Sequence, residues 1–124
     1  MIKVAILITV VIVLGILYYL FPIIEVVGDS MYPTYKDGEI IFGTRLYRKS
    51  KLRKRDVIIY TSPREERIVI KRIDDIRKKN NRLYFYCLGD NRDYSYDSRE
   101  YGYVSSKRLK CKVLNQRRKK RCMQ

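Results

Sequence analysis

The feature that most constrains this chain is an unbroken apolar run near its start. Residues 4 to 24 read VAILITVVIVLGILYYLFPII, carry no charge, and lie between Lys3 and Glu25. Crossing the hydrocarbon core of a bilayer takes about 20 such residues. A cleaved secretory leader has a shorter apolar core, roughly 7–15 residues, and closes on a small-residue cleavage site. This run closes on Tyr18, Tyr19, Leu20, Phe21 and Pro22 instead, and aromatic side chains suit a membrane interface. The expected organisation is a short N-terminal end at 1–3, a retained anchor at 4–24, one folded domain at 25–115 and a basic tail at 116–124, the tail disordered.

Charge near the span sets the expected orientation. Lys3 and the free amine lie on the N-terminal side, while Glu25 to Glu39 hold four acids and one lysine. That local bias favours the N-terminus inside and the domain outside the cell membrane. The charge of residues 25–124 as a whole opposes this, since of 28 Lys and Arg only Lys3 precedes them, leaving 27 against 13 acids, a net of +14, but charges far from the span influence orientation less. Such a surface is suited to anionic lipid. The three cysteines, Cys87, Cys111 and Cys122, are odd in number and contain no C-x-x-C pair. They suggest neither a disulfide framework nor a zinc site, and the sequence does not decide whether Cys87 pairs with Cys111.

Beyond the anchor the chain alternates short β-branched runs with turn signals. Strands are expected at Ile23–Val27, Glu39–Phe42, Asp56–Tyr60, Arg67–Ile73, Leu83–Leu88 and Leu109–Leu114, with turns at Lys36–Gly38, Ser62–Glu65 and Lys78–Asn81. Residues 45–55 hold seven basic side chains and read as an exposed loop. The fold class is therefore mainly β, and no internal repeat is visible.

The chemistry is bounded by the absence of histidine. A serine hydroxyl needs a base to act as a nucleophile, so any serine enzyme here is of the Ser-Lys kind. No serine has a lysine three positions on, Ser30 has only half of a G-x-S-x-G elbow, and Asp90–Asp93 lacks the glycine of a calcium loop. No metal or cofactor is suggested. The candidate nucleophile is Ser30, within Gly28-Asp29-Ser30-Met31-Tyr32-Pro33-Thr34. The candidate base is Lys71, which shares a predicted strand face with Val69 and Ile73. Desolvation there would lower its pKa; a useful neutral fraction near pH 8 needs a drop of about two units, or ~3 kcal/mol. An edge-strand lysine that blocks aggregation gives the same local pattern.

Three stretches resemble the diagnostic boxes of bacterial type I signal peptidases. Gly28–Thr34 resembles their nucleophile box and Ile70-Lys71-Arg72-Ile73 their lysine box. Gly89-Asp90-Asn91-Arg92-Asp93-Tyr94-Ser95-Tyr96-Asp97-Ser98-Arg99, with Gly102, resembles their third segment, and Arg55–Tyr60 is similar to the strand between. The likeness covers about residues 20 to 110. It implies an N-terminal transmembrane helix followed by a small all-β domain of the signal-peptidase and repressor kind. It implies that Ser30 attacks a preprotein, that Lys71 is the general base, and that the Ser30 backbone amide donates to the oxyanion. Ser95 would hydrogen-bond the lysine, and Asp97, Arg99 and Asp90 would brace the segment; Ser95, Asp97 and Arg99 alternate and would point to one side if the stretch is extended. Expected partners are preproteins with signal peptides, cut after small residues, and membrane lipid. Nucleic acid is not expected, and the sequence does not set the oligomeric state.

There are departures. Gly28 stands where some members carry a serine that donates to the oxyanion. Arg55-Asp56 lacks the intervening glycine of the family's Arg-Gly-Asp. Asp74-Asp75-Ile76 replaces the usual Gly-Leu-Pro-Gly-Asp, and a large insertion is missing, which makes this a minimal form. The rival readings are a specialised Ser-Lys processing peptidase for pilin or conjugation substrates, and a membrane-anchored basic binding module. Twelve tyrosines and the positive charge would suit the latter for single-stranded nucleic acid.

Overall fold

The computed structural model describes residues 1–120. The apolar run becomes a 19-residue helix, α1 (Ile2–Leu20), with no buried residue along it. At 1.5 Å per residue it is roughly 28 Å long, close to the thickness of a bilayer core. By length and composition it is able to cross a membrane. The end of the run behaves differently, since Ile23 and Ile24 already belong to the first strand. Arg45 closes the helix C-terminus. Its amide donates to the Leu20 carbonyl at 2.8 Å, its guanidinium donates to the Tyr19 carbonyl and lies 4.5 Å over the Tyr19 ring. A cation at this end satisfies orphan carbonyls and the helix dipole together.

The domain is mainly β. Its strands are β1 (Ile23–Glu25), β2 (Ile40–Thr44), β3 (Val57–Thr61), β4 (Ile68–Lys79), β5 (Arg82–Leu88), β6 (Val104–Ser105) and β7 (Leu109–Val113). They form one sheet in the order β1-β2-β7-β3-β4-β5-β6, and every neighbouring pair is antiparallel. β3 is central and buried on both faces. Val57 and Ile59 join a cluster with Val26, Met31, Tyr35, Ile41, Cys111 and Val113. Ile58 and Tyr60 join the other, with Leu52, Ile73, Phe85, Cys87 and Val104. Burying each such side chain stabilises the domain by about 1.5–3 kcal/mol. Cys87 and Cys111, in different clusters, are both free thiols; Cys122 lies outside the described residues.

The expected strands all form, and β4 is longer than expected. It runs on to Lys79 across a bulge between Ile73 and Asp75. The β4–β5 turn rests on Asn80 (φ 53) and Asn81 (φ 61), a pair of left-handed residues that suits a two-residue hairpin. Residues 45–55 are exposed except for buried Leu52 and half-buried Tyr47, which both reach the second cluster. Residues 116–120 differ from the disorder expected of the tail. The Gln116 side chain accepts from the Val57 amide at 2.7 Å and donates to its carbonyl at 2.8 Å. Arg117 pairs with Glu39 at 2.5 Å, and its guanidinium lies 4.9 Å over the Tyr35 ring. Composition alone overlooked these partners, which a basic run finds in a domain that presents Glu39 and Tyr35.

Candidate active site

Ser30 sits in a loop tied down on both sides. Gly28 has φ +86, a conformation that favours glycine, and its amide donates to Asp37 Oδ1 at 2.8 Å. Beyond the serine, Met31, Thr34 and Tyr35 are buried. The loop backbone closes through Tyr32 N–H to the Asp29 carbonyl (3.1 Å) and Tyr35 N–H to the Met31 carbonyl (3.0 Å). The Ser30 carbonyl accepts from the Asn91 amide at 2.9 Å. Among the described residues the Ser30 N–H has no acceptor.

Lys71 arrives on β4, paired in register with Ile58, and is 4% exposed. Its Nζ donates to Ser30 Oγ at 3.0 Å. Burial pushes the Lys71 ammonium below the ordinary lysine range, and the Asp97 carboxylate pulls the other way without reversing it. The nearby Cys87 thiol is pushed up to about 12 by burial and so adds no negative charge at neutral pH. No carboxylate lies within ion-pair distance of Lys71 among the described residues. A buried lysine freed of its proton is the condition for a Ser-Lys pair to work.

The third segment packs against this pair, but not as an extended stretch. Asp97 is the N-cap of a four-residue helix, α2 (Ser98–Tyr101), in a capping box with Glu100. Ser95, Asp97 and Arg99 therefore meet because a turn folds them together, and not through strand alternation. Ser95 Oγ donates to Asp97 Oδ2 at 2.8 Å, so its hydrogen bond goes to the acid and not to Lys71 as expected. Asp97 is fully buried and also accepts from the Gly89 amide at 3.0 Å and from Arg99 Nε at 2.9 Å. Burial would raise its pKa, yet the Arg99 guanidinium and the surrounding donors hold it below the usual carboxylate range. Arg99 further donates to the carbonyls of Arg92 (2.6 Å) and Ser95 (3.1 Å).

Asp90 is held by Arg72 in a bidentate pair of 2.8 and 2.9 Å, with both side chains buried. Adjacent residues of β4 thus face opposite ways, Lys71 to Ser30 and Arg72 to Asp90. Arg72 was not singled out by the sequence reasoning, although a buried arginine requires a partner. Asn91 was also missed. Its Nδ2 donates to the Asp29 carbonyl at 3.0 Å, so side chain and backbone together join the third segment to the Ser30 loop. Gly89 permits that approach. A Cβ there would lie 2.1 Å from Ser95 Oγ and 2.6 Å from the Ser30 carbonyl oxygen. The Asp97–Glu100 spacing matches a capping box, a signal the sequence reasoning passed over.

The pair opens on a groove of about 320 Å³ whose walls include Ile24, Val27, Ile59, Ile70, Tyr94 and Tyr96. Among the described residues no group of three or more His, Cys, Asp or Glu side chains forms a metal cage.

A small antiparallel β domain that presents a serine hydroxyl to a shielded lysine beside a groove has the parts of a peptidase. Residues 1–85 match the family described as signal peptidase, peptidase S26, and the chain belongs to that family. The match takes in Ser30 and Lys71 and ends before Gly89. None of the curated proteins matches the chain. As a member it is a peptidase of the signal-peptide-cleaving kind, and its substrates are preproteins.

Proposed function

We propose that this protein is a minimal type I signal peptidase of the bacterial kind: a membrane-anchored serine endopeptidase that removes signal peptides from exported preproteins. Ser30 is the nucleophile and Lys71 the general base. The observation that carries the reading is the 3.0 Å contact between Ser30 Oγ and a lysine 4% exposed, in a chain without histidine. Neutral Lys71 takes the Ser30 proton as Oγ attacks the scissile carbonyl. Negative charge develops on the carbonyl oxygen, and the Ser30 N–H is its donor; one such preorganised donor is worth about 3–4 kcal/mol. The Lys71 ammonium then protonates the departing amine. The mature protein leaves, and the signal peptide remains as an ester on Ser30. Lys71, neutral again, deprotonates the water that hydrolyses the ester.

Ser95, Asp97 and Arg99 act in this reading by holding the segment that faces the pair, and Asp90 by fixing it to Arg72. The groove presents β-branched walls, and a preference for small residues before the cut follows from the family likeness. α1 spans the cell membrane with the N-terminus inside, so the domain meets preproteins on the extracytoplasmic side. The test is to trap the ester. Acid quenching of the full chain in detergent with a preprotein should yield a peptide containing Ser30 that carries the signal-peptide mass. Hydrolysis with no adduct on Ser30 and undiminished rates in Ser30→Ala would remove the assignment.

A further inference from the structure

A second and larger cavity, about 890 Å³, lies on the domain and shares no lining residue with the Ser30 groove. Its walls bring together Arg55, Arg92, Arg118 and Lys119. None of these four is within ion-pair distance of a carboxylate among the described residues. Arg72 also lines it, but its charge is spent on Asp90. Asp56, paired with Lys112 at 3.7 Å, and Asp74 are the acids in the lining. Arg55 has φ 81, in the left-handed region where a glycine would sit without strain. The chain thus keeps an arginine at a position whose backbone disfavours it. Like charges brought together in one concavity repel, and the field they focus attracts an anion.

We propose that this cavity is a binding site for a phosphate-bearing anion. Guanidinium groups suit phosphate because their planar donors meet two oxygens at once. Two sources share this chemistry, a soluble oligophosphate and the headgroup of an anionic phospholipid, and the site accepts the phosphate through Arg55, Arg92, Arg118 and Lys119 in either case. The site does not depend on the peptidase reading, because neither Ser30 nor Lys71 takes part.

The test uses the full chain in uncharged detergent micelles. Pyrophosphate is titrated calorimetrically in one arm, and micelles doped with phosphatidylglycerol or phosphatidylcholine are compared in the other. Arg55→Gly is the informative variant, because glycine suits the φ of 81 and removes the cation without straining the fold. Arg55→Gly, and separately the exposed pair Arg118→Ala with Lys119→Ala, should weaken binding by about tenfold, the scale of a lost charge-assisted contact. Thermal stability should be equal or higher in Arg55→Gly. Saturable pyrophosphate binding that these variants lose identifies a soluble anion. Binding confined to phosphatidylglycerol, and lost in the same variants, identifies a headgroup. Binding to neither probe overturns the proposal, as does affinity unchanged in both variants. An oligonucleotide bound more tightly with increasing length would also overturn it, in favour of a nucleic-acid surface.

Discussion

The surroundings of Lys71 disfavour its charged form, and this fixes how the protein should respond to pH. Its folded-state pKa is below the ordinary lysine value because of burial. Between that lowered value and the unfolded one, the unfolded chain binds more protons, so Lys71 makes stability rise with pH in that window. Activity that depends on the neutral amine should rise through the same lowered pKa, well under the free lysine value, when initial rates are measured across alkaline pH. Asp97 gives a slope of the same sign in the acid range. Its lowered pKa supplies stability above the ordinary carboxylate pKa of about 3.9, and that stability is lost as pH falls through the folded value. Asp97→Ala strips Arg99, Ser95 and the Gly89 amide of their acceptor and should cost about 2–3 kcal/mol in denaturant melts. Ser95→Ala removes one donor and should lower turnover more than stability. Ser30 and Lys71 were legible because the missing histidine and the apolar neighbours of Lys71 each left a mark in the sequence. The Ser95 partner was not, because side-chain direction in a turn does not follow strand alternation. Asp90 and Arg72 meet across 18 positions, and no local spacing links them.

At the level of elements, the site depends on how closely the third segment approaches the nucleophile loop. Gly89→Ala places a methyl against the Ser30 carbonyl and Ser95. Overpacking of this kind costs about 1–3 kcal/mol. The variant should keep its sheet by circular dichroism and lose most of its activity, because the added methyl displaces the loop that holds Ser30. Unchanged activity in a folded Gly89→Ala protein would mean that the approach is unimportant. The strands were readable from β-branched runs between turns, and the double-sided burial of β3 from its unbroken Val57-Ile58-Ile59-Tyr60. α2 and β6 were not, since a four-residue helix and a two-residue strand are too short for any periodicity to register. The bulge in β4 was equally silent, as pairing with β5 decides it.

Across the whole molecule, an apolar helix with no buried residue is joined to residues 25–124, which carry a net charge of +14. If α1 is a retained anchor, the protein stays in the membrane fraction after alkaline carbonate washing, and protease added outside the cell digests the domain. A soluble chain trimmed after Pro22 would show a cleaved leader instead. Composition foretold an apolar N-terminal segment and the basic surface, but it did not foretell that residues 116–120 would dock beside the chain that follows Ser30. The central claim is that Ser30 and Lys71 act as one unit. It is tested most directly by cleavage of a signal-peptide-bearing preprotein by the full chain in uncharged detergent, with wild type, Ser30→Ala and Lys71→Arg compared at equal folded concentration. The account predicts a single cut after a small residue by the wild type. It predicts a loss of at least about 10³-fold in each variant, since arginine keeps the charge but cannot give up its proton. A Lys71→Arg protein that cleaves at the wild-type rate would contradict it.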